Sequence, residues 1–318
     1  MLIINSSMKN SRPNRNTVSR RQFIQSSALL AGTALLSPWS LIQSRAATSP
    51  AIVRTAVDQV TLGKTGLKLS RLGIGTGSDN GHAQIALGKE GFKKLIHYAY
   101  DQGITYIDTA QTYTTFEWIS DATKGLPREK LFIQSKLPGR PQNILEAIDH
   151  HRKVFNTDYV DSLLIHCMIN DHWTDDWKRV MDAFDEAKQK KWILAKGVSC
   201  HSLPALRAAT VSDWTEVHLV RVNPQGKHVD GKEEEVWSFY DHDINPVMAE
   251  LKNMRAKGHG IIGMKIIGNG DFTRAEDREK SIRYAMACKE IDAVVIGFTT
   301  TQQIDEALER MNRALKEV

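Results

Sequence analysis

Short, continuous apolar runs recur along residues 58–318 and alternate with amphipathic segments. Runs such as residues 294–296 show no alternation between apolar and polar side chains. This pattern is typical of strands that are covered on both faces, and such strands are parallel. The eight predicted strands are residues 69–75, 105–110, 131–136, 159–166, 194–200, 216–222, 260–267 and 293–298.

Amphipathic helices are predicted among these strands, at residues 92–101, 144–155, 175–191, 203–209, 247–257, 278–289 and 302–315. Eight βα units predict an α/β fold, a closed (β/α)8 TIM barrel. The alternative is an open doubly wound sheet, but no Gly-x-Gly-x-x-Gly sequence opens a helix after a predicted strand. Residues 60–63 and 67–70 flank a short turn and predict an N-terminal β-hairpin that closes the bottom of the barrel.

The first 46 residues have the pattern of an export signal. They contain six Lys and Arg residues and no Asp or Glu, and Arg20-Arg21 precedes a largely apolar run over residues 28–42. This resembles a twin-arginine signal, with a cleavage site after about Ala46. We therefore expect a signal peptide at residues 1–46, a linker at 47–57 and a barrel at 58–318. An uncleaved basic arm with a membrane anchor is the alternative.

The predicted signal implies a location and a partner. We expect the protein to be periplasmic, or otherwise exported through the twin-arginine machinery. Beyond residue 46 the chain has 36 Lys and Arg against 37 Asp and Glu, so its formal charge changes from +5 to −1. That balance gives no electrostatic support for binding nucleic acid. No apolar run has the roughly 18 residues that an integral membrane span in the mature protein needs.

Four residues with proton-transfer chemistry follow three successive strands. Asp108, Lys136 and His166 each stand at the end of an apolar run, and Tyr113 follows Asp108 by five residues. In a TIM barrel the carboxyl ends of the strands meet at one mouth, where active sites lie. The sequence therefore predicts that the carboxylate, phenol, amine and imidazole converge on one pocket.

The segments around these residues resemble the aldo-keto reductase family. The matching segments are residues 62–67, 72–77, 108–113, 135–136, 163–166, 197–199 and 295–297. The resemblance implies reduction of an aldehyde or ketone by NAD(P)H, or oxidation of the alcohol. Tyr113 would be the general acid/base, with its pKa lowered from about 10 by the ammonium of Lys136. Asp108 would hold Lys136 in its charged form, and His166 would donate a hydrogen bond to the carbonyl oxygen.

The resemblance also implies a site for NADP or NAD. Its predicted contacts are Gly75, Thr76, Ser199, Cys200, Lys265, Gly297, Thr299, Thr300 and Gln303. The family commonly has Asn where Cys200 stands, and Gln and an aromatic residue where Leu219 and Val222 stand. No Lys or Arg lies between Gly297 and Glu306 to bind a ribose phosphate, so NADP and NAD both stay open. If the protein is exported, we expect the cofactor to be loaded first and held tightly.

Two other functions stay open. The departures at Cys200, Leu219 and Val222 motivate a binding or scaffold protein with a degenerate cofactor site. A metal-dependent hydrolase would need several inward-facing His and carboxylate ligands, and we expect no metal site. In a regular strand Cys167 would face away from the lumen into which His166 points.

Overall fold

A computed structural model describes residues 53–237 and 240–318. The predicted signal at residues 1–46 lies outside these ranges and stays a prediction. The described end of the predicted linker contacts the barrel, because the Ala56 amide donates to Asn312 Oδ1 at 2.8 Å and Ala56 is fully buried. In the described ranges, no helix has the length and apolar character that crossing a membrane requires.

Ten strands occur within the described residues. They are β1 (Gln59–Thr61), β2 (Lys68–Ser70), β3 (Leu72–Gly75), β4 (Tyr106–Asp108), β5 (Phe132–Leu137), β6 (Val160–Met168), β7 (Ile193–Cys200), β8 (Val217–Arg221), β9 (Gly260–Met264) and β10 (Ala293–Gly297). Strands β3 to β10 are parallel to their neighbours and close into a barrel in the order β10-β3-β4-β5-β6-β7-β8-β9. The predicted (β/α)8 TIM barrel is therefore confirmed, and an open sheet is excluded.

Helices cover the outside of this barrel. They are α1 (His82–Ile85), α2 (Gly88–Asp101), α3 (Ile119–Thr123), α4 (Ile144–Phe155), α5 (Trp173–Asp176), α6 (Lys178–Gln189), α7 (Leu203–Val211), α8 (Asn245–Lys257), α9 (Ala275–Ala287) and α10 (Thr301–Leu315). The helix predicted at residues 175–191 is divided at Trp177, where the backbone leaves helical angles. The short helices α1 and α3 were not predicted, because four or five residues show no clear helical period.

The predicted hairpin is also present and closes the bottom of the barrel. Strands β1 and β2 pair antiparallel, with Val60 opposite Leu69. Leu62 and Leu69 are fully buried and pack with the side chains that fill the lumen. A Cβ at Gly260 would lie 2.5 Å from Leu62 Cγ, so the glycine makes room for this plug.

Alternation along the strands divides the side chains between two cores. One set fills the lumen and includes Tyr106, Phe132, Leu164, Leu219 and Ile262. Their neighbours in sequence point outward and pack against the helices. A residue two positions after a lumen residue therefore faces inward again, one layer closer to the mouth. This rule carries Asp108, Gln134, His166 and Arg221 toward the mouth of the barrel.

Candidate active site

Asp108 and Lys136 form a buried ion pair at the barrel mouth. Asp108 is the last residue of β4, and Lys136 stands on the adjacent strand β5. Lys136 Nζ donates to Asp108 Oδ2 at 2.7 Å and to the carbonyl oxygen of Thr109 at 2.7 Å. The Lys136 side chain is 1% exposed, so its charge is stabilised by these partners and not by water.

Gln134 holds the second oxygen of Asp108. It lies two residues before Lys136 on β5 and therefore faces the lumen as well. Its Nε2 donates to Asp108 Oδ1 and to Tyr106 Oη, both at 2.9 Å, and its Oε1 accepts from Ser162 Oγ at 3.0 Å. Gln134 was not among the predicted site residues. The available signal was a polar residue within an apolar strand, on the same face as Lys136.

Tyr113 reaches the ion pair from the loop after β4. Its Oη lies 3.4 Å from Lys136 Nζ, which donates to it. The ring contacts His166 edge-on, with ring centroids 5.9 Å apart and an interplanar angle of 80°. A Cβ at Gly77 would lie 2.3 Å from the Tyr113 ring, so only glycine leaves the ring its present place. The structure thus brings the four predicted catalytic residues together.

The electrostatic state of Tyr113 differs from the expected one. Burial raises the pKa of Tyr113 above its ordinary value, and the opposing effect of Lys136 is smaller. The expected lowering of this pKa is therefore wrong, because the phenol is desolvated and Asp108 also disfavours its anion. Tyr113 is accordingly protonated at neutral pH and is placed to donate its proton.

Lys136 and His166 have different charge states at neutral pH. Burial lowers the pKa of Lys136, but the attraction and hydrogen bonds of Asp108 and Tyr113 together outweigh it, so the net pKa is raised. Burial, with a further contribution from Lys136, lowers the pKa of His166 to about 3. At neutral pH Lys136 is therefore a cation, and His166 is a neutral imidazole that can donate one hydrogen bond.

Two neighbouring cavities open at the mouth. We call the first the central cavity; its volume is about 500 Å³, and Lys136, His166, Ser199 and Trp237 are among its lining residues. We call the second the side cleft; it has a volume of about 290 Å³ and lies at the ends of β3, β9 and β10. Tyr113 lines both cavities, so a group bound in either one can approach it.

Six of the nine residues predicted to contact a cofactor reach these cavities. The side cleft is lined by Gly75, Lys265, Gly297, Thr299 and Gln303, and the central cavity by Ser199. Lys265 lines the central cavity as well. The Ser199 hydroxyl is buried and makes no hydrogen bond within the described parts of the chain. A buried polar group without a partner is costly, so this hydroxyl is suited to bind a ligand.

The other three predicted contacts do not line either cavity. Cys200 follows Ser199 on β7, and the pleat turns its side chain into the outer core. Thr76 follows Gly75 and is fully buried. Thr300 caps α10, where its Oγ1 accepts from the Gln303 amide at 3.3 Å. That these three residues contact a cofactor stays a prediction, although none of them lines either cavity.

Strand β6 is irregular where His166 and Cys167 stand. Cys167 has a φ of 63°, and the pairing with β7 shifts register between Ile165 and Met168. Because of this bulge both His166 and Cys167 line the central cavity. The expectation that they face opposite sides held for a regular strand, and β6 is not regular at this point. Cys167 Sγ lies 3.5 Å from His201 Nε2. Within residues 53–237 and 240–318, no cluster of His, Cys, Asp or Glu is arranged to hold a metal ion.

Arg221 was also missed by the sequence prediction. It is the last residue of β8 and is 1% exposed. Its Nη1 lies 3.5 Å from Asp230 Oδ1, and its Nη2 donates to the carbonyl oxygen of Val236 at 2.6 Å. His201 Nδ1 lies 2.9 Å from the same oxygen. These contacts hold the segment after β8 against the mouth, and they place Trp237 at the central cavity.

Comparison with known protein families identifies the family of this chain. The model of the aldo/keto reductase family matches residues 71–317, which include the whole barrel and all four residues of the mouth. The chain belongs to the aldo/keto reductase family. The reaction of that family is NAD(P)H-dependent reduction of carbonyl compounds.

Individual members of the family are distant relatives. Probable aldo-keto reductase 1 of Glycine max is 24% identical over 237 residues, which are 70% of this chain and 62% of that protein. The NAD/NADP-dependent indole-3-acetaldehyde reductase of Schizosaccharomyces pombe is 30% identical over 134 residues, 39% of this chain and 45% of the relative. The chain thus spans only about half to three fifths of these curated relatives.

A solved aldo-keto reductase shares the fold. The holo form of an aldo-keto reductase from Bacillus halodurans superposes with a TM-score of 0.64 at 14% identity. The match covers 82% of this chain and 96% of that one. At this identity the likeness concerns the barrel architecture alone.

The contact between Gly77 and Tyr113 predicts the effect of one added carbon. In Gly77→Ala the new Cβ would lie 2.3 Å from the ring, so Tyr113 must leave its present position beside Lys136. A displacement of about 1 Å can cost roughly 100-fold in kcat, and we expect a loss of this size in aldehyde reduction. Gly91→Ala in α2 is the control, because its Cβ would meet only Leu87 Cβ, at 3.1 Å. Unchanged kcat in Gly77→Ala would contradict the assigned position of Tyr113.

Proposed function

We propose that this protein reduces an aldehyde or ketone with NADPH or NADH, or oxidises the corresponding alcohol, and that Tyr113 is its general acid/base. One observation carries the proposal: Tyr113 Oη lies 3.4 Å from the buried ammonium of Lys136, and Tyr113 borders both cavities. Membership of the aldo/keto reductase family supports the reaction class. The four side chains at the mouth are a carboxylate, a phenol, an ammonium and an imidazole, and this chemistry supports the roles assigned to them.

The residues at the two cavities fit a nicotinamide cofactor. Gly75 and Gly297 line the side cleft without side chains that would fill it. The unpartnered hydroxyl of Ser199 is available to the carboxamide of the ring. Met264 lines both cavities and offers an apolar contact there. When bound, such a cofactor supplies a hydride to the carbonyl carbon.

The three residues that depart from the family pattern do not line either cavity. Leu219 lies in the inner core and Val222 in the outer core, and neither lines a cavity. Cys200 also points into the outer core. These three residues motivated the alternative of a binding protein with a degenerate cofactor site. Since they lie away from both cavities, they do not degrade the lining of either one.

Tyr113 would transfer its proton to the carbonyl oxygen as the hydride arrives at carbon. Its raised pKa keeps the proton on the phenol until then. The Lys136 ammonium, 3.4 Å away, then stabilises the phenolate that the transfer leaves. Asp108 keeps Lys136 charged, and neutral His166 donates a hydrogen bond that orients and polarises the carbonyl group.

Tyr113→Phe tests the assigned acid. The variant retains the ring and its contact with His166 but has no proton to donate. We expect kcat for reduction of benzaldehyde to fall by about 100-fold or more, with KM for the cofactor nearly unchanged. Steady-state kinetics with NADPH and NADH measure both quantities.

Tyr98→Phe is the matched control. Tyr98 lies on α2, and its hydroxyl donates to Asp305 Oδ1 at 2.6 Å, away from both cavities. We expect wild-type kinetics from it. Undiminished reduction by Tyr113→Phe would exclude the assigned role. Absence of reduction in the wild-type protein as well would favour the binding protein.

We also propose that the protein is exported with its cofactor bound. The sequence of residues 1–46 motivates this, since the twin-arginine route carries proteins that have already folded. Protein recovered from the periplasm and then denatured should release about one NAD(H) or NADP(H) per chain, as detected by mass spectrometry. Periplasmic protein that releases none and binds neither cofactor would contradict the proposal.

A further inference from the structure

Lys265 is held at the barrel mouth by an unusual backbone. It follows β9 directly and has a φ of 60°, in the left-handed region that residues other than glycine rarely adopt. Asn269, four residues on, has a φ of 57° and accepts from Lys265 Nζ at 2.6 Å. Asn223 Nδ2 donates to the Lys265 carbonyl oxygen at 3.2 Å. Left-handed residues of this kind cost about 1 kcal/mol or more and cluster at functional sites.

Lys265 differs from the other cations of the mouth in its charge balance. Lys136 is paired with Asp108 at 2.7 Å, and Arg221 lies 3.5 Å from Asp230. In the part of the chain that the structure describes, no carboxylate lies within 4.0 Å of Lys265 Nζ. Burial, with a smaller contribution from Arg221, lowers the pKa of Lys265 to about 8. An anion bound beside Nζ would supply the missing countercharge.

The surroundings of Lys265 indicate which cavity would hold that anion. Lys265 borders both cavities, but Trp237 lines only the central one, and Lys265 Nζ lies 5.9 Å from the centre of its ring. The same cavity contains Tyr113 and His166, the residues assigned to the carbonyl group. It therefore offers a carbonyl site, an aromatic wall and a separate cation within about 500 Å³.

We propose that Lys265 binds a carboxylate of the substrate in the central cavity, so that the preferred substrates are aldehydes or ketones that carry an acid group. This rests on the proposed reductase function. Lys265 then acts as a specificity residue: it attracts one end of the substrate while Tyr113 and His166 engage the carbonyl oxygen at the other.

Two aldehydes of nearly equal shape test this assignment. The first, 4-carboxybenzaldehyde, is an anion at pH 7, and its methyl ester, methyl 4-formylbenzoate, is neutral. We expect the wild-type protein to have about a 10-fold higher kcat/KM for the acid than for the ester. In Lys265→Met, which keeps the chain length but removes the charge, this ratio should fall to about one. Lys265→Arg, which keeps the charge, should retain most of the preference.

An exposed lysine provides the control. Lys280→Met on α9 removes an exposed positive charge that lines neither cavity and should keep the wild-type ratio. If Lys265→Met leaves the ratio unchanged and raises KM for the cofactor, Lys265 serves the cofactor and the proposal is wrong. A wild-type protein that prefers the ester would also contradict it.

A binding measurement separates this inference from the proposed function. Terephthalate carries the same carboxylate and cannot be reduced by hydride transfer in this way. If neither aldehyde is reduced, the reductase proposal fails, and calorimetric titration with terephthalate still tests Lys265. About 10-fold weaker binding to Lys265→Met than to the wild type would support the anion site, whereas equal affinities would overturn it.

Discussion

The mouth of this barrel depends on the buried ion pair between Lys136 and Asp108. An ammonium that is 1% exposed has lost its hydration, which costs several kcal/mol unless close partners replace the water. Asp108 Oδ2 and the Thr109 carbonyl oxygen do so at 2.7 Å each. Because Gln134 binds the other oxygen of Asp108, the carboxylate cannot rotate away without breaking a second contact. Burial is the main cause of the shifted pKa values of Tyr113 and His166, and the ion pair modifies both.

The barrel places these groups by strand parity. Tyr106 packs in the lumen, and Asp108 follows it two residues later on the same face. On β5, Lys136 likewise follows Gln134 by two residues on the lumen face. On β6, His166 follows Leu164 in the same way. The apolar layer and the hairpin plug below keep water out of the lumen, so charges at its upper end interact strongly. Tyr113 alone comes from a loop, and the missing side chain at Gly77 gives its ring a place.

Much of this arrangement could be predicted from the sequence, because it follows from patterns of polarity. Eight apolar runs gave eight strands, and polar residues at their ends marked the mouth. Strand parity could also have shown that Ser199 and Cys200 cannot both face a ligand, and that Gln134 shares a face with Lys136. What parity could not show is the bulge at Cys167, where one left-handed residue brings two consecutive side chains to the central cavity.

The direction in which the pKa of Tyr113 shifts was also predicted wrongly, because it depends on the folded structure. The sequence shows that an ammonium is near, but it does not show how completely the phenol is buried. Likewise, the segment that Arg221 and His201 hold through the Val236 carbonyl oxygen reads as a polar loop in the sequence. Its position over the mouth depends on contacts between β7, β8 and a loop, and such contacts leave no local pattern.

Deuterium transfer tests the central claim most directly. The protein would be incubated with a nicotinamide cofactor that carries deuterium at the transferable C4 position, together with an excess of aldehyde. If the mouth built around Lys136 and Asp108 is a reductase site, the alcohol product should contain one deuterium on its carbinol carbon, as seen by mass spectrometry and NMR. Unlabelled alcohol, or no alcohol while the cofactor is bound, would contradict this account.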